Sequence, residues 1–232
     1  MGIGGFYGCQ GIASVDISNL ETIPYEAFRD CTSLNSVQFG RNLRLVDRRA
    51  FQNASIERLD LSYAEGLEIG EYAFCDNFSL KKLSLPNNCI LNGGCFGNVN
   101  IQEDLIIKKG WTFIGGNQFR NCRELISVEV EEGITAIPTG LLGFTTQLKT
   151  VIFPSTITEI GDSFLHGNGW LCTFICKATV PPVITGNGYI GYGPFSEMYV
   201  PDESVDAYKT APSWSNHASQ IKPMSMLANS NM

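Results

Sequence analysis

Apolar residues return along this chain at intervals of 22 to 24 positions. Phe6, Phe28, Phe51, Phe74, Phe96, Phe119, Leu142 and Phe164 form one such column. A second column runs Val15, Val37, Leu59, Leu83, Leu105, Val128, Val151 and Phe174. Each of its members is followed two residues later by Ile17, Phe39, Leu61, Leu85, Ile107, Val130, Phe153 or Cys176. Alternation with a period of two predicts a short strand with one face buried. A third column, Ile23, Val46, Ile69, Leu91, Ile114, Ile137 and Ile160, lies about half a repeat away and predicts the opposite wall.

No single repeat can bury three such columns, but stacked repeats can, so the pattern predicts a solenoid of about eight turns. With strands about 4.8 Å apart, eight turns make a parallel sheet on the order of 40 Å long. Between the columns the chain is rich in Gly, Asn, Asp and Ser, which favour tight turns. At most one helical turn fits around each aromatic. The expected fold is therefore β-dominated, a right-handed superhelix with a parallel concave sheet and short 3₁₀ or single-turn helical pieces.

Composition narrows the function classes. The 232 residues are 44% hydrophobic and 17% charged, which predicts a packed core and not disorder. The formal charge is −7 with only 16 Lys plus Arg, and no basic run stands out, which argues against nucleic acid as a partner. No stretch reaches the roughly 18 apolar residues of a membrane span, so no membrane insertion is expected. The start, Met1-Gly2-Ile3-Gly4-Gly5, lacks the basic-then-apolar layout of an export signal.

The run Ala-Phe-x-x-Cys-x-x-Leu-x-x-Val-x-Phe is complete from Ala27 to Phe39. It is nearly so at Phe119, Cys122, Leu125, Val128 and Val130. This motif resembles the BspA-like leucine-rich-repeat family, over roughly residues 3 to 176. The segment Tyr199-Val200-Pro201-Asp202-Glu203-Ser204-Val205-Asp206-Ala207-Tyr208-Lys209, with Trp214 and Ile221-Lys222-Pro223, is similar to the closing segment of many such proteins. The resemblance implies a leucine-rich-repeat solenoid over 1–176, a C-terminal cap over 177–223 and a flexible tail over 224–232. It also implies a bacterial cell-surface or secreted protein, in some members one that adheres to host matrix proteins or cells. The first turn begins without a capping segment and without an export signal, and the chain is read as a fragment of a longer protein. Gly167-Asn168-Gly169-Trp170-Leu171 carries an extra residue, which predicts a bulged register before Phe174.

Eight cysteines invite a disulfide framework, but Cys9, Cys31 and Cys122 stand three residues after the column aromatic, where other turns place Ala54, Asn77, Val99, Thr145 and Gly167. A position that accepts Ala, Val and Thr calls for small volume, so buried free thiols are expected, with a Cys9–Cys31 bridge left open. Cys172 and Cys176, four apart, would both face inward in a regular strand. No metal-ligand spacing of Cys or His, nucleophile elbow or phosphate-binding loop occurs. His166 and His217 read as loop histidines, and Glu129, Glu131 and Glu132 as a solvated face. No cofactor, metal or catalytic role is expected.

Side chains between the inward pairs must face the concave side. That outward column reads Asp16, Gln38, Asp60, Ser84, Ile106, Glu129, Ile152 and Ile175. It is polar in its first half. In its second half Ile106, Ile152 and Ile175 are expected to be exposed, flanked by Lys108, Thr150 and Lys177, and contiguous exposed apolar patches mark interaction sites. The candidate partner-binding residues are thus Gln38, Asp60, Ser84, Ile106, Lys108, Glu129, Thr150, Ile152, Ile175 and Lys177, for a protein or glycan partner. A covering role for residues 179–192 is the alternative. Tyr189-Ile190-Gly191-Tyr192-Gly193-Pro194-Phe195 is a second recognition candidate, although cap packing explains it too. Trp170, Tyr208 and Trp214 are expected to close the core. A spacer in a larger surface protein is the second functional reading, and an enzyme the third.

Overall fold

The computed structural model describes residues 2–168, 173–186, 190 and 197–229. Trp170, Cys172, Tyr189, Tyr192 and Phe195 lie outside the described residues. In chain order the first strands are β1 (Ser14–Ile17), β2 (Thr22–Ile23), β3 (Ser36–Phe39), β4 (Leu45–Val46), β5 (Arg58–Asp60), β6 (Leu67–Ile69), β7 (Lys82–Ser84) and β8 (Asn88–Leu91). Then come β9 (Leu105–Ile107), β10 (Gly110–Phe113), β11 (Ser127–Val130), β12 (Ala136–Ile137), β13 (Thr150–Phe153), β14 (Glu159–Ile160), β15 (Thr173–Cys176), β16 (Val183–Ile184), β17 (Glu197–Val200) and β18 (Ile221–Pro223). One helix, α1 (Val205–Thr210), and 3₁₀ turns at Asp202–Ser204, Trp214–His217 and Met224–Asn229 complete the set. The chain is a parallel-strand β-solenoid of about nine turns with little helix.

Two compact units are present, Met1–Glu103 with Gly110–Glu124, and Asp104–Lys109 with Leu125–Met232. This division does not fall at residue 176, the boundary expected between repeats and cap. In the first unit β1 pairs with β3, β5 with β7, and β2, β4, β6, β8 and β10 form a five-stranded sheet, all parallel. In the second, β9, β11, β13, β15, β17 and β18 form a six-stranded sheet and β12, β14 and β16 a three-stranded one. The closing segment therefore does more than cover: β17 and β18 extend the sheet in the same parallel register. Met224–Asn229, expected as a flexible tail, is a 3₁₀ helix in which the Ser225 amide donates to Asp202.

The first unit is threaded by a ladder of rings. Phe6, Phe28, Phe51, Phe74, Phe96 and Phe119 stack pairwise with centroids 5.1 to 5.6 Å apart and planes within 7° of parallel. Those separations exceed the strand spacing, which gives the offset stacking that aromatic quadrupoles prefer. The backbone around each ring is built to repeat. Residues two before and two after the ladder residue take positive φ: Glu26 and Asp30, Arg49 and Asn53, Tyr72 and Asp76. Around each ring every second amide points toward the next turn. Thus Glu26, Phe28 and Asp30 donate to Arg48, Ala50 and Gln52 of the following turn, while Ala27, Arg29 and Cys31 donate within their own. Each left-handed non-glycine residue costs on the order of 1 kcal/mol, offset by the ladder it makes possible.

The structure corrects three assignments of register. Ile114 is not on the inner wall but is half exposed, because β10 pairs in register with β8 and sets Phe113 opposite Leu91. Alternation along β10 then buries Trp111, and the spare residue is taken up in the turn around Gly115. Phe164 is not the ladder residue of its turn. Leu142 donates its amide to the Phe164 carbonyl, as Phe51 does to Ala73, so Phe164 stands one place before the ladder and Leu165 occupies it. It follows that Gly167, at φ 78°, is the left-handed residue of that turn, and Asn168, not Gly167, aligns with Cys31 and Asn77.

That aligned position is also more than a place for small side chains. Cys31 Sγ donates to the Phe6 carbonyl at 3.0 Å, Asn77 Nδ2 to Phe51 at 2.7 Å, Cys122 Sγ to Phe96 at 3.4 Å and Asn168 Nδ2 to Leu142 at 2.8 Å. In each case the donor satisfies the carbonyl of the preceding turn's ladder residue. A buried carbonyl rewards a short donor, which Cys or Asn supplies in these four turns.

In the second unit Leu142 and Leu165 hold the ladder position, and aromatic volume enters from elsewhere. Phe153, Phe164, Phe174, Trp214 and Tyr208 meet at interplanar angles from 35° to 83°. Trp214 Nε1 donates to the Pro182 carbonyl and Tyr208 Oη to Ala178, both at 2.8 Å, so the two polar handles are satisfied although both rings are fully buried.

Candidate binding surface

The outward row of the six-stranded sheet is continuous. Its register aligns Ile106, Glu129, Ile152, Ile175, Tyr199 and Lys222 on successive strands. Three strand spacings set Ile106 and Ile175 about 14 Å apart. Ile106 is 47% exposed, as expected, but Ile152 and Ile175 are half-buried. The row is also longer than the sequence pattern suggested, since Tyr199 joins it. Tyr199 is buried, and its hydroxyl donates to the Glu197 carboxylate, which also receives the Lys222 ammonium. Those contacts, Lys222 first and Tyr199 second, hold Glu197 below the usual carboxylate range.

Around this stripe the flanks are charged or hydroxylic. Lys177 Nζ lies 3.9 Å from Glu129 Oε1, both largely exposed. Thr150 and Lys108 are half-buried beside the stripe. Ser127 donates to Asp104. Glu131 accepts the Lys109 amide at 3.0 Å, and Glu132 accepts the Ser155 amide and hydroxyl, which lowers its pKa. The three glutamates thus address three different neighbours. Among the described residues no group of three or more His, Cys, Asp or Glu converges as a metal ion requires.

The first unit presents a different sheet face. Asp16 pairs with Gln38 and Asp60 with Ser84, all exposed. Asp16 accepts the Ser18 amide at 2.9 Å, and Asp60 accepts both the amide and hydroxyl of Ser62, bonds that depress both carboxyl pKa values. These acids close the turns that follow their strands. Of the ten candidate residues, Ile106, Glu129, Ile152, Ile175 and Lys177 lie together, with Lys108 and Thr150 at the margin, and Gln38, Asp60 and Ser84 belong to the other unit.

The reactive side chains are occupied structurally. The cysteines of the described residues are free thiols, and all but half-buried Cys9 are buried. Burial pushes the thiols of Cys75 and Cys122 up to about 12 and that of Cys176 up to about 11, so at neutral pH they stay protonated. His166 packs edge-on to Phe144 at 5.0 Å, and burial lowers the pKa of His217. No helix among the described residues is long and apolar enough to cross a membrane.

Stacked parallel turns with two short strands each, closed by short turns in place of helices, define a leucine-rich-repeat solenoid. The chain belongs to the BspA-type leucine-rich-repeat family, whose repeat region matches residues 2–103 and 67–184 in six copies. Among solved structures it is similar to a leucine-rich cell-surface protein of Faecalibacterium prausnitzii, at 17% identity and a TM-score of 0.49, over 95% of this chain and 61% of that one. A leucine-rich-repeat protein of T. pallidum is 24% identical, with a TM-score of 0.44 over 64% of this chain and 60% of that one. One from Bacteroides ovatus is 17% identical, with a TM-score of 0.46 over 88% and 53%. The chain spans less than two thirds of the length of each. No curated protein matches it.

Proposed function

We propose that the chain is a non-catalytic recognition module of a bacterial cell-surface protein, binding a protein or glycan partner through the sheet face of its second unit. The observation that carries this reading is the row Ile106, Glu129, Ile152 and Ile175, three isoleucines with one carboxylate among them on a parallel sheet, flanked by Lys108 and Lys177. A half-buried stripe with an exposed end and a charged margin has the anatomy of an interface core and rim. The family resemblance supports placement at the cell surface, with adhesion to host matrix proteins as the physiological role. The test is binding of the folded chain to immobilised matrix proteins and surface glycans. Ile106→Asp should abolish binding without changing the melting temperature, and unchanged binding in that variant removes the sheet face as the site.

A second reading, a spacer that supplies length to a larger surface protein, has its support in the first unit. There the sheet face is polar and Asp16 and Asp60 are engaged by their own turns. Absence of binding to every immobilised partner favours it.

A further inference from the structure

A second, chemically distinct recess lies on the first unit, away from its sheet face. Four residues after the ladder rings Phe74, Phe96 and Phe119 come Phe78, Asn100 and Arg123, one per turn. Together with Asn121 and Glu124 they line an open recess of about 240 Å³. Two turns separate Phe78 from Arg123, about 10 Å along the stack, and the shorter Asn100 between them leaves a slot. Phe78 is 58% exposed, although the ladder phenylalanine four residues before it is fully buried.

The polar members are held in place. Asn100 Nδ2 donates to the Phe78 carbonyl at 2.8 Å. Asn121 donates to Asn98 and accepts Arg123 Nε at 2.8 Å, which fixes the guanidinium plane. The recess thus combines an exposed ring face, two anchored amides and one cation beside one anion, with no net charge. Its volume is below the roughly 300–1,000 Å³ of pockets for drug-sized ligands, so it admits one ring. A single ring with an apolar C–H face and a rim of hydroxyls that both donate and accept fits this set. A flat apolar ligand would set the charges of Arg123 and Glu124 against an apolar surface, and an anion would meet Glu124.

We propose that this recess binds the terminal pyranose of a neutral glycan, stacked on Phe78 and hydrogen-bonded by Asn100, Asn121, Arg123 and Glu124. The site is independent of the sheet face of the second unit, and the two readings fail separately. The test is saturation-transfer NMR on the full chain with methyl β-galactopyranoside, whose C3–C5 C–H face is the apolar one. A single sugar in an open recess should bind with a dissociation constant on the order of 1–10 mM. Transfer should be strongest at H3, H4 and H5, lost in Phe78→Ala and weakened about tenfold in Arg123→Ala, a loss of one charge-assisted contact. Ile106→Asp should leave the transfer unchanged. Both recess variants alter exposed side chains and should melt as the parent does, which a thermal scan checks. No transfer to the parent chain, or equal transfer in Phe78→Ala, overturns the proposal.

Discussion

The two units solve one packing problem in different ways. In the first, an identical side chain returns at an identical backbone position, so each ring meets its copy face to face and the ladder from Phe6 to Phe119 follows from translation alone. In the second, leucine replaces phenylalanine at that position, and the missing volume comes from the strands as Phe153 and Phe174, from the displaced Phe164, and from Trp214 and Tyr208 of the closing segment. Strict repetition needs no specific partner beyond the neighbouring turn. An aperiodic cluster needs each partner present in its own shape.

Phe51→Ala should show the largest effect, a loss of about 3 to 5 kcal/mol in chemical denaturation, because it removes a fully buried ring stacked on both sides. The reciprocal change sharpens the contrast. Leu165→Phe, which restores the family's aromatic, should destabilise the second unit by about 1 to 3 kcal/mol through overpacking against a cluster already filled by Phe164. A stabilisation instead would show that the second unit is an imperfect ladder and not a different core.

Smaller effects probe what holds the turns in register. Asn77→Ala should cost about 1 to 3 kcal/mol, since the amide serves the Phe51 and Phe74 carbonyls. Asn77→Cys, the residue found at the same place in three other turns, should recover part of that loss. The smallest expected effect is one of pH. Burial lowers the folded pKa of His217 below its value of about 6.5 in the unfolded chain, so the unfolded state binds the proton first. Stability should therefore be full above about pH 6.5 and fall as pH drops from there toward the folded pKa. His217→Gln should flatten that part of the melting-temperature profile.

The strand columns and the ring column were legible because period and volume repeat, and they place Phe28, Phe51, Phe74, Phe96 and Phe119 correctly. Where a turn changes length, spacing alone misleads: Ile114 and Phe164 sit at the right interval, yet hydrogen-bond register assigns their places to Phe113 and Leu165. The left-handed residues two after Phe28, Phe51, Phe74, Phe96 and Phe119 are Asp or Asn, which tolerate that conformation. Those two before are Gly4, Glu26, Arg49, Tyr72, Gly94 and Asn117, and at Glu26, Arg49 and Tyr72 no residue preference reveals them. The outward row was readable from alternation, but its burial was not, because exposure depends on what packs across a row and not on direction along the strand. The Phe78 recess gave no signal in the strand pattern, since it is assembled from three turns outside the strands.

The contrast between the two sheet faces bears most directly on function, and one paired measurement decides it. Beads coated with the chain are assayed for attachment to host matrix proteins, with an aspartate introduced on either face, Ile106→Asp in the second unit or Ser84→Asp in the first. Both positions are exposed, so both variants should melt within about 0.5 kcal/mol of the parent. The account predicts that attachment is lost with Ile106→Asp and kept with Ser84→Asp. Equal attachment by both variants would contradict it.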